Sequence, residues 1–192
     1  MNLSMATETK PRATYQDLLQ VPDNQVAEII DGELHANPRP ALPHAHAASV
    51  LGNELVGPFH RGRGGPGGWW ILDEPELHFG DDVLVPDLGG WKRSRLPVLP
   101  DAAALELAPD WACEILSPST ERWDRSKKLA VYARERVAHL WLISPRSRTL
   151  EAYRLQAGNW LLLGTHCDDA RERVEPFEAI ELELGALWPA GE

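Results

Sequence analysis

Apolar and polar positions recur with two different periods along this chain, and the switches between them predict the order of its elements. Thr14 to Leu19 has the pattern of a short helix with Thr14 as its N-cap. Val26 to His35 reads as two extended segments joined at Asp31-Gly32, a strong two-residue hairpin signal. The prolines between Asn37 and Pro43 require an irregular connection. From His44 to Phe59, Val50, Leu51, Leu55 and Val56 fall near helical spacing, and Gly57-Pro58 closes the segment. The Gly-rich run Arg61 to Gly68 follows as a loop. It lacks the Gly-Lys-Ser/Thr ending of a phosphate-cradling loop.

Further on the period shortens. Trp69 to Leu72 and Glu76 to Phe79 are expected to form one strand region bent at Pro75, and Val83 to Leu88 and Trp111 to Leu116 are short buried strands. Ser117 to Thr120 supplies turn and capping residues for a helix whose stripe is Leu129, Tyr132, Ala133 and Val137. His139 to Ile143 is another strand, and Thr149 to Leu155 pairs with Trp160 to Leu163 as a hairpin. Ala179 to Leu184 alternates, as an edge strand or the start of a final turn does. With no internal repeat and no linker, the expectation is an α/β (α+β) fold: a mixed central sheet flanked by helices, with an N-terminal hairpin. Residues 14–192 would be one domain behind a disordered polar tail, 1–13.

Composition narrows the function classes. A length of 192 residues is enough for one substantial apolar core. No apolar run approaches the ~18 residues of a membrane span, and the polar start lacks a secretory pattern. Cys113 and Cys167 lie far apart without metal-ligand spacing, which reads as reduced thiols and a cytoplasmic location. The net charge of −10 opposes nucleic-acid binding unless the basic residues gather on one face. Three local clusters exist: Arg61 and Arg63; Lys92, Arg93 and Arg95; and Arg122, Arg125, Lys127 and Lys128. Each is also what an ordinary solvated surface provides.

Three side chains stand out against this background. Asp87 ends an apolar run just after Pro86, and Glu114 lies inside another. A carboxylate in a short apolar strand is costly unless it is paired or binds a cation. Two of them on adjacent strands would make a hard oxygen site suited to Mg²⁺ or Mn²⁺. Taken singly, Asp87 could cap a turn and Glu114 could point outward, because strand residues alternate faces. Lys128, four residues after Asp124 and four before Tyr132, reads by its spacing alone more readily as an ordinary surface pair with Asp124.

Several segments together tip that balance. Glu28 to Leu34, Val85-Pro86-Asp87-Leu88, Cys113 to Thr120, and Asp124 to Ala133 running on to His139–Ile143 stand in order. In order and spacing this set resembles a bacterial family of restriction-endonuclease-like proteins, long catalogued as a domain of unknown function, within the PD-(D/E)XK nuclease superfamily. The resemblance covers roughly Ala27 to Leu155. It implies a restriction endonuclease-like fold, with Pro86-Asp87 as the PD element and Glu114 at the (D/E) position. Leu116 stands where the superfamily pattern has lysine, and the resemblance points to Lys128, rather than Lys127, as the displaced lysine. It further implies that Asp87, Glu114 and the backbone carbonyl of Ile115 hold Mg²⁺ (or Mn²⁺), that Lys128 assists the attacking water, and that DNA is the substrate. A homodimer follows from the resemblance and the edge hairpin between Thr149 and Leu163.

Other residues stay open. His44, matched by a histidine in the resembling family, Glu54, Glu33 and Tyr132 are candidates for supporting roles, and Glu76 could face the same cleft. Glu54 reads more readily as a solvated helix residue. His44-Ala-His46 is a zinc-ligand pattern in some hydrolases, yet a two-residue spacing shares a face only on a strand. A catalytically silent nucleic-acid-binding or protein-interaction module on the same fold is the rival reading. The tryptophans are expected in the core rather than as base-stacking platforms.

Overall fold

In the computed structural model, which describes residues 11–189, the local signals give the elements they predict. Helix α1 (Tyr15–Leu18) starts at Thr14, whose side chain and that of Asp17 cap each other's backbone N–H. Strands β1 (Gln25–Ile30) and β2 (Glu33–Pro38) form the hairpin, with Asp31 and Gly32 at φ 55° and 79°, the left-handed pair that a tight turn of this type needs. Of the tail expected to be disordered, residues 1–10 lie outside the described residues. Ala13, however, donates its N–H to the Gly32 carbonyl at 2.8 Å, so the segment from Pro11 to Ala13 is tied to the hairpin turn.

Helix α2 (Leu42–Leu55) buries Ala47, Leu51 and Leu55, while Val50 and Val56 lie at its margin. Gly57-Pro58 does not end the helical path at once, because a wider π-type turn carries it on to His60. Strands β3 (Trp69–Asp73), β4 (Glu76–Phe79), β5 (Asp82–Leu84), β6 (Leu88–Lys92), β7 (Ala104–Leu105) and β8 (Trp111–Ile115) follow. Then come α3 (Glu121–Trp123), a π-type turn over Asp124–Lys128, and α4 (Leu129–Arg134). The chain finishes with β9 (His139–Ser144), β10 (Thr149–Gln156), β11 (Asn159–Cys167), the short pair β12 (Arg171–Glu172) and β13 (Leu182–Glu183), and a last 3₁₀ turn.

The central sheet is mixed and six-stranded, in the order β11-β10-β9-β8-β6-β3, with β8 and β9 parallel and the other neighbours antiparallel. The parallel pair needs a crossover, and the α3–α4 segment provides it. A second sheet, β2-β1-β5-β4-β7, absorbs the N-terminal hairpin. Two readings change here. The segments either side of Pro75 are not one bent strand: β3 belongs to the central sheet and β4 to the second. Likewise Val83 to Leu88 is not one strand, because β5 ends at Leu84 and β6 starts at Leu88 in the other sheet. Pro86 donates no backbone N–H, which suits the point where one ladder is left for another. The two crossings touch, with the Glu74 N–H on the Asp87 carbonyl at 3.1 Å.

Apolar layers cover both faces of the central sheet. On one side Trp111, Cys113 and Ile115 pack with α2, Trp141, Phe177 and Trp188. On the other Ala112 and Leu116 pack with Tyr132, Val131, Leu142 and Ile30. Most of the tryptophans are therefore core residues, and Trp91, Trp111 and Trp141 are fully buried. Cys113 and Cys167 are both free thiols, the first buried and the second exposed. Among the described residues no helix is long and apolar enough to cross a membrane.

Candidate active site

The seam between the two sheets, where the chain crosses at 74–75 and again at 85–87, opens into a pocket beside the end of β8. Its walls include Glu28, Glu74, Asp87, Glu114, Asp124 and Lys128, with His44 and Ile115. Three separate elements deliver the principal groups. Asp87 sits in the crossing just before β6. Glu114 occupies the face of β8 shared by Ala112 and Leu116, which strand alternation directs at the Tyr132 layer. Asp124, Lys128 and Tyr132 follow one another four residues apart, so a helical path presents them on one side.

The contacts are dense. Lys128 Nζ lies 2.9 Å from Glu114 and 2.8 Å from Glu28, with Asp124 at 3.7 Å. The Tyr132 hydroxyl donates to Glu114 Oε1, and Lys128 Nζ also reaches Oε2 at 2.9 Å. Asp87 accepts the Ile115 N–H at 2.6 Å and meets His44 Nε2 at 3.1 Å. Glu28 also accepts the Val85 N–H at 2.8 Å, so one carboxylate ties the loop carrying Asp87 to the lysine. Burial is nearly complete: Glu114 is 2% exposed and Asp124 and Lys128 3% each.

Electrostatics follow from that burial. Desolvation pushes the Glu114 carboxyl well above the usual range, and Asp124, Asp87 and Glu28 add to it while Lys128 opposes. Asp124 is pushed up to about 6 by burial, against the pull of Lys128 and a hydrogen bond from Thr120. Burial works to lower Lys128, but Glu114 and Glu28 outweigh it and keep the ammonium charged well past its ordinary range. For His44 burial likewise pulls downward and is outweighed by Asp87, so the imidazole gains protons more readily than usual.

Asp87, Glu114, Lys128, Tyr132 and His44 come together, with Ile115 beside them. Lys127 faces outward and pairs with Glu33 at 2.7 Å, so Glu33 lies outside the pocket wall. Glu54 does not line the pocket either: ten residues beyond His44 on α2, it stands about 15 Å further along the axis. Glu76 belongs to the second sheet, where it binds the Tyr15 hydroxyl and His78. His46 turns to the Ala186 carbonyl at 3.1 Å, which separates it from His44. The Asp124–Lys128 pair exists, but buried rather than on the surface.

Glu28 was missed as a site residue. The signal was available: alternation along β1 places Glu28 with Val26 and Ile30, a carboxylate on an apolar face like Glu114. Glu74, left at a positive φ of 43° by the first crossing, was also unforeseen.

Among the described residues no three His, Cys, Asp or Glu side chains are arranged as a ready-made metal cage. The donor chemistry nevertheless suits a hard cation. Five carboxylates face one lysine and one histidine, and this surplus negative charge adds to the burial that raises Glu114 and Asp124. Ile115 turns its N–H to Asp87, and an extended residue presents its carbonyl on the same edge. Carboxylate and carbonyl oxygens are the ligands Mg²⁺ and Mn²⁺ prefer.

Comparison with known proteins shows the family and the fold. The family model described as "Uma2: Putative restriction endonuclease" matches residues 12–186. A solved structure, described as a "putative nuclease belonging to DUF820 from Anabaena variabilis ATCC 29413", superposes with a TM-score of 0.68 at 27% identity, covering 92% of this chain and 97% of that one. No curated protein matches.

Proposed function

The chain belongs to the Uma2 family of restriction endonuclease-like proteins, and we propose that it is a Mg²⁺- or Mn²⁺-dependent endonuclease that hydrolyses the phosphodiester bonds of DNA. The observation that carries this reading is the convergence of Asp87 and Glu114 with Lys128 in one buried pocket of surplus negative charge. Asp87, Glu114 and the Ile115 carbonyl would hold the metal. When bound, it supplies Lewis acidity toward the phosphate and a lowered pKa for water. Lys128 keeps its proton, and so remains a donor for the attacking water and for charge developing on the phosphoryl oxygens. Tyr132 and Glu28 hold Glu114 and Lys128 in place, and His44 orients Asp87. The two free thiols suit a reducing compartment such as the cytoplasm.

The test is incubation of purified protein with supercoiled plasmid and single-stranded DNA in Mg²⁺ or Mn²⁺. Asp87→Ala and Glu114→Ala should lose both the metal-induced thermal shift and cleavage. Lys128→Ala should keep the shift and lose cleavage, and undiminished cleavage in that variant would remove the lysine from the mechanism.

A second reading is a catalytically silent binding module on the same fold. It is favoured by the fact that Asp87 and Glu114 already have protein partners for their oxygens. Binding to a nucleic acid or protein that ignores both metal and Glu114→Ala, with no cleavage under any metal, would select it.

A further inference from the structure

Beside the carboxylate pocket lies a second cavity of about 420 Å³, which shares His44 and Ser117 with it. We infer that this cavity seats the base of an unpaired nucleotide flanking the scissile phosphate, with Arg146 on that nucleotide's phosphate. The inference rests on the nuclease reading above and specifies its substrate: a strand with at least one unpaired nucleotide at the cut.

The walls come from distant parts of the chain. Pro43 at the start of α2, Leu116 and Pro118 after β8, Pro145 after β9 and Trp188 near the C-terminus make them predominantly apolar. Trp188 commits its indole N–H to the Asp168 carbonyl at 2.7 Å, so only ring carbons remain for the cavity. A slot of this chemistry accepts the faces of a flat aromatic group and offers little to read its edges, which makes it tolerant of sequence.

The rim has the charge a nucleotide needs. The turn between β9 and β10 brings Arg146 and Arg148 to the cavity. Arg148 is neutralised by Asp169 at 2.6 Å and Asp168 at 3.7 Å. Arg146 is exposed and, among the described residues, takes part in no ion pair. The turn is held in shape by the Ser147 N–H on Ser144 Oγ at 3.2 Å and the Asp168 N–H on the Arg148 carbonyl at 2.9 Å. In a protein of net charge −10, an unpaired cation on the rim of a cavity that adjoins the carboxylate pocket is what a phosphate can use. A base stacked inside a duplex cannot enter such a slot. It must first leave the stack, at a cost that a single strand largely avoids.

The experiment measures fluorescence anisotropy of a dye-labelled hexathymidylate, and of a blunt duplex of equal length, with the full chain in EDTA. The variants are Arg146→Glu and Ala41→Trp, the second placing a ring at the exposed rim of the cavity. Wild type should bind the single strand at least about tenfold tighter than the duplex, and each variant should erase that preference. Circular dichroism and the Mg²⁺-induced thermal shift should stay as in wild type. Equal binding of both probes, no binding of the single strand, or unchanged preference in both variants would overturn the subsite. Its failure is separable from failure of the nuclease reading. Mg²⁺-dependent cleavage of duplex without single-strand preference leaves the nuclease and removes the subsite. A preference that persists without any cleavage does the reverse.

Discussion

Asp124 is the group whose burial can be converted most directly into a measurable free energy. It is 3% exposed, and its carboxyl is pushed from 3.8 up to about 6. An acid whose folded pKa is raised binds its proton more tightly in the native state. Stability is therefore lost as pH rises between the two values, and the loss is complete above about 6. At 1.36 kcal/mol per unit, the ionised Asp124 costs the fold about 3 kcal/mol at pH 8 and only about half a kcal/mol at pH 4. Asp124→Asn removes the ionisation while leaving an oxygen for the Thr120 hydroxyl. Lys128 still has Glu28 at 2.8 Å and Glu114 at 2.9 Å. Urea unfolding in EDTA should thus show the variant about 3 kcal/mol more stable than wild type at pH 8, with the gap closing toward pH 4. Added Mg²⁺ should narrow the gap at pH 8, because a cation bound in the pocket would offset the cost of the buried charge. A variant less stable than wild type at pH 8 would refute the reasoning, since it would mean that the attraction of Lys128 at 3.7 Å outweighs the burial of the charge.

Other consequences follow from the same contacts. In the proposed site metal would compete with protons on Glu114, whose carboxyl is held well above its usual range, so the Mg²⁺-induced rise in Tm should be larger at pH 8 than at pH 6, and an unchanged shift would contradict it. Glu28→Gln should keep metal binding and KM but lower kcat by roughly 10–100-fold, because it loosens Lys128 and the Val85 N–H together; unaltered kcat would leave Glu28 a purely structural role. Phe177 packs tilted or edge-on against Phe59, Trp69, Trp111 and Trp141 at 4.6–5.5 Å, so Phe177→Ala should cost about 3–5 kcal/mol in chemical denaturation. The outer strand β11 exposes Leu161, Leu162 and Leu163 along an edge with no neighbouring strand among the described residues. If a second copy pairs there, Leu162→Glu should convert a sedimenting dimer to monomer, and a wild-type monomer at every concentration would end that idea.

What could be read from the residues was whatever short-range chemistry determines. The Thr14–Asp17 cap, the Asp31-Gly32 turn and the β10–β11 hairpin each depend on a few neighbouring residues, and each forms where its signal lies. The destination of a strand is not local. Nothing within Trp69–Phe79 says that its two halves join different sheets, because each choice is made by partners such as Leu88–Lys92 and Asp82–Leu84. Asp87 therefore looked like the end of a strand when it is the hinge between two. Glu54 and Glu76 were drawn toward the cleft by their charge alone, and their elements carry them elsewhere.

Glu28 shows how the two kinds of information combine. Its own strand marks it as an apolar-face carboxylate, but only the pairing of β1 with β5, Ile29 opposite Val83, brings it to the Val85 N–H and within 2.8 Å of Lys128. The lysine that the resemblance moves away from position 116 arrives on a helical path. It must be fixed from a side where a strand lysine would need no help, and the second sheet does that. Its β1–β2 hairpin grips the helix twice, through Glu28 on Lys128 and Glu33 on Lys127. The five-stranded sheet is therefore part of the candidate site: loosening the hairpin should free Lys128 and the Val85 end of the crossing together, while the Asp87 carboxylate keeps its own contacts with Ile115 and His44.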